Sequence, residues 1–528
     1  MWRVRWLEAA ALITSAVLVS FAPARGQGDS IPKPGDIKSV SSTPLRGYGP
    51  SVLLEARIEQ IEPRLSEIEV RAAEGRLASP VITPDAYEDL EYRLRQLDRR
   101  WELAEEAAGD RASSLERRLE ALEKGTPQSS ERDGWIDWST EKWTVRLGGH
   151  VALDYVLWPH ADPAITGPAA APGAKNYFEF RRLRLSADGT GYGILDFRLQ
   201  ATLEPETVGE NPPGTVISPD VKDAFLSMND IPYLGRFRIG NFFVPFSLEQ
   251  VTNEAFTVFM ERSIPTQGVF TPDREVGIAF YNVTADQNFT WSYGLFFDSI
   301  SEGLKERIDD NQGYRISSRV TWLPCYDEPS NGRYLLHTGL GVLYTADQND
   351  SVRFRTRPHI HEGPRLVDSG VLAAGSYTTG NIELAAVCGP ITVQSEGFIA
   401  NVDLNSGNPV NLYGAYVHLS YFLTGENRVY ERFGQNGAQF GRLVPYSNFF
   451  LVPGCGGSGA WEFKIRTTYL DLSQVESGRY NDLTVGFNWY WNDRVRVMFD
   501  WIHPITSAET TFGKTTSDIV GMRFDFNW

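Results

Sequence analysis

Cysteine, methionine, basic charge and long apolar runs are all in short supply in this chain. The three cysteines (Cys325, Cys388 and Cys455) are odd in number, far apart and without a CxxC pair. One disulfide among them is compatible with export, and the sequence leaves its pairing open. Fifty Lys and Arg face 67 Asp and Glu, a net charge of −17, which argues against a nucleic-acid partner, whose phosphates need a basic face. Only the N-terminus holds a long apolar run, and the mean hydropathy is −0.29. That argues against membrane helices but not against a membrane β-barrel, whose strands alternate lipid-facing and lumen-facing residues and so average polar. Aromatic residues are plentiful instead: 14 Trp, 22 Tyr and 29 Phe in 528 residues.

The N-terminal residues 1–26 read as a signal peptide. Arg3 and Arg5 supply the positive start, Ala9 to Phe21 the apolar stretch, and Ala22-Pro23-Ala24 the small-residue cleavage pattern, with Glu8 out of character. The alternative is an uncleaved anchor, but about 13 apolar residues are too few to cross a bilayer. Residues 27–50 are a linker rich in Gly, Pro and Ser. In 51–124, Leu54, Ile58, Ile61, Leu65 and Ile68, then Tyr87, Leu90, Leu94, Leu97 and Trp101, then Leu115, Leu119 and Leu122 repeat at spacings of three and four. This predicts an α-helical coiled coil in two or three pieces, broken at Pro63 and over 75–84, and a periplasmic one if the protein is exported. A second linker covers 125–139.

From about Trp143 the apolar period becomes two. Val520, Met522, Phe524, Phe526 and Trp528 alternate with Gly521, Arg523, Asp525 and Asn527; the stretches at 483–490, 494–501 and 197–204 repeat the pattern. A soluble sandwich alternates too. The apolar faces here, however, end in aromatics (Trp143, Trp158, Trp322, Trp461, Trp489, Trp501, Trp528), as interfacial girdles do, and the chain closes on such a strand. Residues 140–528 are therefore expected to form an all-β membrane barrel of about sixteen antiparallel strands. Their expected starts are near 143, 177, 192, 221, 235, 275, 288, 313, 333, 380, 391, 410, 461, 481, 494 and 517. Short periplasmic turns are expected at 188–191, 230–233, 284–287, 389–390 and 491–493. Three connections are long, 244–274, 347–379 and 424–459. The first, with Phe246, Phe256, Phe259 and Phe270, is expected to fold into the lumen.

These residues resemble the phosphate-selective porins of the O and P type. The resemblance is carried by Arg181-Arg182-Leu183-Arg184-Leu185 with Gly189, by the run Tyr192 to Leu199, by Lys222-Asp223-Ala224-Phe225 and by the run Arg238 to Glu249. Phe259-Met260-Glu261-Arg262, Arg274, Leu423 to Arg428 and Thr484 to Tyr490 extend it. It implies a trimeric sixteen-stranded outer-membrane barrel that passes anions, with two inward extracellular loops and one periplasmic loop. The chain departs from the pattern at Phe243, where a basic residue is common, and at Trp528, where Phe is commoner.

Anion selection needs fixed positive charge and donors along the pore, and the planar arginine fork suits phosphate. Candidate anion-binding or pore-lining residues on the strands are Arg182, Arg184, Arg198, Arg238, Arg315, Arg319, Lys464, Arg466, Arg494, Arg496 and Arg523. The long connections add Arg262, Arg274, Arg353, Arg355, Arg357 and Arg428. Arg353, Arg355 and Arg357 alternate on one face of an extended segment and make the sharpest site. Against this stands paired lumen charge, because Glu204, Asp223, Asp471, Asp500 and Asp525 also fall on polar faces and the barrel region is net acidic. His359, His361 and Glu362 form a weak metal-binding pattern. The Gly454, Gly456, Gly459 spacing precedes a strand rather than a helix and is no dinucleotide site, and His503 with Ser507 is a poor hydrolase pair.

The sequence thus reads as a porin for passive diffusion of small solutes, anions such as phosphate first. It needs no cofactor, metal or catalytic residue. Its partners are outer-membrane lipid, two further copies of itself and, through the coiled coil, the cell wall. A general or cation-leaning pore and a structural tether are the alternatives.

Overall fold

The computed structural model describes residues 142–167, 173–208, 214–217, 219–297, 313–347, 350–449 and 456–528, together with short strands at Ser130–Arg132 and Trp135–Asp137. The expected signal peptide, first linker and coiled coil lie outside the described residues, and the expected second linker, 125–139, holds the two short strands, which pair with each other. Sixteen long antiparallel strands close into a barrel. In order they are β1 Trp143–His160, β2 Tyr177–Gly191, β3 Leu195–Thr202, β4 Asp220–Ile231, β5 Gly235–Phe243, β6 Arg274–Val283, β7 Phe289–Phe297 and β8 Tyr314–Tyr326. Then follow β9 Tyr334–Ala346, β10 Leu372–Cys388, β11 Ile391–Leu404, β12 Val410–Phe422, β13 Ala460–Asp471, β14 Arg479–Tyr490, β15 Val495–Thr506 and β16 Asp518–Asn527. Each pairs with its neighbours in sequence, and β16 pairs back onto β1 from Asp518↔His160 to Asn527↔His150.

The radial order of polarity is the inverse of a soluble protein's. Outward side chains are apolar and open, with Leu340 57% and Ile382 60% exposed, while inward Arg238, Arg466 and Arg523 are 2%, 1% and 0% exposed. A soluble sandwich would bury the first set and expose the second, so the outer face is built for hydrocarbon. Trp461 stacks on Trp489 at 5.0 Å, and Trp143, Trp322, Trp491 and Trp528 share that end of the barrel, where the chain enters and leaves. Tyr155, Phe178, Phe180 and Tyr413 are exposed toward the other end. Two expected girdle members differ. Trp501 faces outward in mid-strand, and Trp158 points inward, buried against Ile360 and Gly363 of an incoming loop.

All sixteen expected strands are present, most within two residues of the expected start. β3 starts at Leu195 rather than 192, because Tyr192 and Gly193 take positive φ (52° and 75°) and make the turn themselves. The expected turn at 188–191 is strand: Gly189 and Gly191 leave room for the rings of Phe197 and Trp143, which lie where Cβ atoms would be. β10 starts at Leu372 rather than 380. Its first residues are small and non-alternating, and Leu372 and Ala373 pair with Val352 and Ser351.

Every second connection from β2–β3 onward lies at the end where β1 begins and β16 finishes, hereafter the turn end. All of them are short except 423–459. Connections 244–273 and 347–371 rise from the opposite, loop end, and all three long ones fold into the lumen. Phe246, Leu248, Val251, Phe259 and Phe270 of the first are buried, as are Phe354 and Ile360 of the second and Tyr430 and Phe440 of the third. Cys325 and Cys388 are free thiols, and Cys455 is outside the described residues.

The barrel is sealed by its last residue. Trp528 donates its N–H to the Gly149 carbonyl at 3.1 Å, and the Gly149 N–H returns a bond at 3.3 Å. The indole covers Gly149 so closely that a Cβ there would lie 2.1 Å from the ring. Gly149→Val is therefore expected to displace the indole at a cost of about 1–3 kcal/mol. It should lower the temperature at which the folded barrel band disappears in cold-sample gel electrophoresis. Adding Trp528→Ala should not lower it further.

Candidate functional site

A loop inside a barrel must find partners for its backbone, since a buried unpaired carbonyl is costly. Connection 244–273 satisfies part of its own with the short helices Leu248–Val251 and Glu254–Phe256 and a few turns over 263–270. The wall supplies the rest. Arg496 donates to the carbonyls of Thr257 (2.7 Å) and Glu254 (3.2 Å), Lys464 to Val258 (3.0 Å), and Arg466 to Glu261 (2.9 Å). Arg428, from the turn-end loop, donates to Phe256 (3.0 Å), and Arg523 donates to Met260. Asn488 also reaches Val258 (2.8 Å), and Asp500 accepts the Met260 N–H (3.0 Å). Five cationic side chains thus clasp one stretch of backbone, 254–261. Four of them carry carboxylate or amide partners as well. Arg496 pairs with Asp525 (3.1 Å), Lys464 with Asp500 (2.6 Å), Arg466 lies 3.8 Å from Glu249, and Arg523 grips both oxygens of Asp154 (2.6 and 2.7 Å).

The turn-end loop is held in the same manner. Arg238 donates to Gln435 O (2.7 Å) and Asn436 Oδ1 (3.1 Å), and Arg319 to Ala438 O (3.0 Å) while bound to both oxygens of Glu383 (2.8 Å each). The loops also meet: Asn436 Nδ2 donates to Val251 O (3.0 Å), and His359 Nδ1 lies 3.1 Å from Arg262 O. His359 in turn bonds Asp482 across the lumen (2.6 Å). Arg262 turns back onto its own loop, to the carbonyls of Glu249, Gln250 and Thr252.

The other candidates are distributed differently. Arg184 pairs with Glu204 (2.7 Å) and Glu254 (3.3 Å), Arg198 with Asp223 and Asp188 (3.1 Å each), Arg274 with Asp223 (2.8 Å) and Glu254 (3.0 Å), and Arg315 with Glu275. Arg494 sits in the turn beyond β14, half exposed beside Asp493. Arg353, Arg355 and Arg357 do alternate on one face. Arg353 is clamped by both oxygens of Asp368 (2.7 and 2.6 Å), and Arg357 donates to Gly363 O (3.1 Å). Burial and these like-charged neighbours push the Arg365 guanidinium down to about 10, so the loop still carries a concentrated positive field at neutral pH.

Arg182, like Arg466, keeps two guanidinium nitrogens unmatched, but unlike Arg466 it holds no carbonyl of an inward loop. The register Ala152↔Arg182 and Leu153↔Phe180 skips Arg181, a bulge that turns both arginines inward. Arg181 closes on Glu261 with two bonds (2.8 and 3.0 Å). Arg182 is 4% exposed, and its Nε and Nη1 find no hydrogen-bond partner. It lines a cavity of about 350 Å³ that also borders Arg181, Arg184, Lys222 and Arg262. The carboxylates on that cavity are largely engaged. Glu261 is shared by Arg181 and Arg523 (2.7 Å), and Glu254 by Arg184, Arg262 and Arg274. Burial alone would raise these two carboxyls, but the arginines outweigh it and hold both well below the usual carboxylate range. Strict alternation along β2 would turn Arg181 outward. Only the doubled arginine hinted at a bulge.

Removing a cation from the clasp should free the loop. Arg496→Ala leaves Asp525 with His150 alone (3.1 Å) and takes the donor from the Thr257 carbonyl, a loss of about 3–5 kcal/mol. It is expected to raise single-channel conductance and to open 247–273 to limited proteolysis, while Arg494→Ala at the rim does neither.

Sequence comparison places these features in a known group. Residues 157–528 match the family described as phosphate-selective porin O and P. An uncharacterized protein of Caulobacter vibrioides is 27% identical over 331 residues, 60% of this chain and 61% of its own. Porin O of Pseudomonas aeruginosa is 22% identical over 418 residues, 70% of this chain and 85% of its own. Among solved structures, OmpT of Vibrio cholerae aligns over 74% of this chain and all of its own at a TM-score of 0.45 and 10% identity. The outer membrane channel DcaP of Acinetobacter baumannii aligns over 74% and 99% at 0.44 and 11%. With its closed sixteen-strand barrel and a family match from β1 to the last residue, the chain belongs to the phosphate-selective porin O and P family of outer-membrane porins.

Proposed function

We propose that the chain is a passive channel for small anions of the phosphate class, and that Arg182 is the point in the lumen where the anion docks. The observation that carries this reading is the contrast within one cavity. Its two deeply buried carboxylates, Glu254 and Glu261, are each held by arginines, whereas Arg182 keeps two donors unmatched. A carboxylate held by two or three guanidiniums has few lone pairs left for a cation. A buried guanidinium with free N–H groups lacks only an acceptor, and a tetrahedral oxyanion supplies one. The family's name points the same way. Diffusion of this kind uses no cofactor and no catalytic residue.

A weakly selective or cation-leaning pore is the second reading, favoured by Asp220 and Asp273, which border the same cavity and are more open to water. The proposal also carries the N-terminal expectations. Residues 1–26 direct export, and 51–124 form periplasmic helices that assist a trimer or reach the cell wall. The barrel begins and ends at the turn end, which this reading assigns to the periplasm.

Reversal potentials of purified protein in planar bilayers under a salt gradient test the reading. An anion-selective current blocked by phosphate is expected. Arg182→Ala should weaken the block tenfold or more, in line with about 1.5–3 kcal/mol for a charge-assisted bond, and deletion of 51–124 should leave it unchanged. A cation-leaning current would retain the porin and exclude the anion assignment.

A further inference from the structure

The weak metal pattern in the sequence, His359, His361 and Glu362, is taken apart by the fold and reassembled with another residue. His359 turns away to Asp482. His361 and Glu362, at the tip of the inward 347–371 connection, instead meet Glu179 of β2. His361 Nδ1 is 2.9 Å from Glu179 Oε2 and 4.0 Å from Glu362 Oε1, and the three potential ligand atoms all lie within 4.8 Å of one another. We propose that Glu179, His361 and Glu362 form a binding site for a divalent cation of the zinc class, which staples this connection to the barrel wall.

Several observations favour an ion over a simple hydrogen bond. A tetrahedral zinc with ligand bonds of about 2.0–2.2 Å sets its ligand atoms about 3.3 Å apart, between the two distances His361 makes. Glu179 Oε1 is buried without a hydrogen-bond partner, so this carboxylate has acceptor capacity in hand. The side chains of His361 and Glu362 are 34% and 31% exposed, which gives an ion a way in from water. Two carboxylates balance the double charge. Of the arginines next along the wall, Arg181 is matched by Glu261 and Arg523 by Asp154 and Glu261, while Arg182 is not. An orienting contact is present too, since the Glu362 N–H points at the Tyr177 hydroxyl at 3.3 Å.

One imidazole and two carboxylates suit zinc or a similar borderline ion. Calcium and magnesium prefer six or more oxygens. The fourth position is left to water. Occupancy would pin the loop tip two residues from the Arg181–Arg182 bulge, at the edge of the basic cavity that His361 also lines. The inference is independent of what the channel conducts.

Titration calorimetry of the detergent-folded full-length protein with zinc chloride, in phosphate-free buffer, tests it. One zinc per chain with micromolar affinity is expected, and magnesium chloride should give no heat of binding. Cobalt(II) should give the intense visible absorption of a four-coordinate site. Glu179→Gln and His361→Ala should each weaken zinc binding by about tenfold or more. His503→Ala, which removes a histidine paired with Asp518 (2.9 Å), should leave it unchanged. The wild-type titration stands whatever the variants do to folding. No stoichiometric zinc binding there would overturn the site, as would binding that survives both substitutions or is lost with His503.

Discussion

The lumen is organised by the need of one unstructured backbone for partners. Connection 244–273 leaves water and enters a barrel, and most of its carbonyls from Glu254 to Glu261 would be stranded without donors from the wall. Arg428, Lys464, Arg466, Arg496 and Arg523 supply them, and anionic wall groups such as Asp525, Asp500 and Asp154 keep most of those donors compensated. Charge-assisted bonds of this kind are each worth about 1.5–3 kcal/mol. Hence the loop is a fixed partition rather than a flap.

That arrangement separates the basic residues by task. Those on β13, β15 and β16 hold the loop, Arg238 and Arg319 hold the turn-end loop, and Arg184, Arg198 and Arg274 face carboxylates across the opposite wall. The bulge on β2 adds an inward arginine without adding a carboxylate. Arg181 takes Glu261, and Arg182 is left over. On the proposed function, selectivity depends on a one-residue slip in register more than on the total number of arginines.

The barrel was readable from the sequence because its signal is local. A period of two, a handful of turns and a terminal aromatic placed sixteen strands, most within two residues. It failed where residues lost their pattern: at the small residues from Leu372, at the glycines of β2 that bed aromatic rings, and at Trp158, which a loop draws inward. The site was much less readable. The sequence placed basic residues on the lumen side but not their partners, because Arg496 and Thr257, or Arg523 and Met260, are more than 230 positions apart. Arg181 was missed because alternation sends it outward, and Glu179 because nothing local ties it to His361. The alternative of paired lumen charge, raised by Glu204, Asp223, Asp500 and Asp525, describes most of the wall.

The central claim is that the clasp leaves Arg182 as the lumen's anion contact. Anomalous diffraction at the selenium edge, from crystals of the protein soaked in selenate, tests it most directly. The account predicts a selenium peak within hydrogen-bonding reach of Arg182 Nε and Nη1, with the 254–261 backbone still on its cations. Selenate on Arg496, Lys464 or Arg466 with the loop displaced, and none at Arg182, would contradict it.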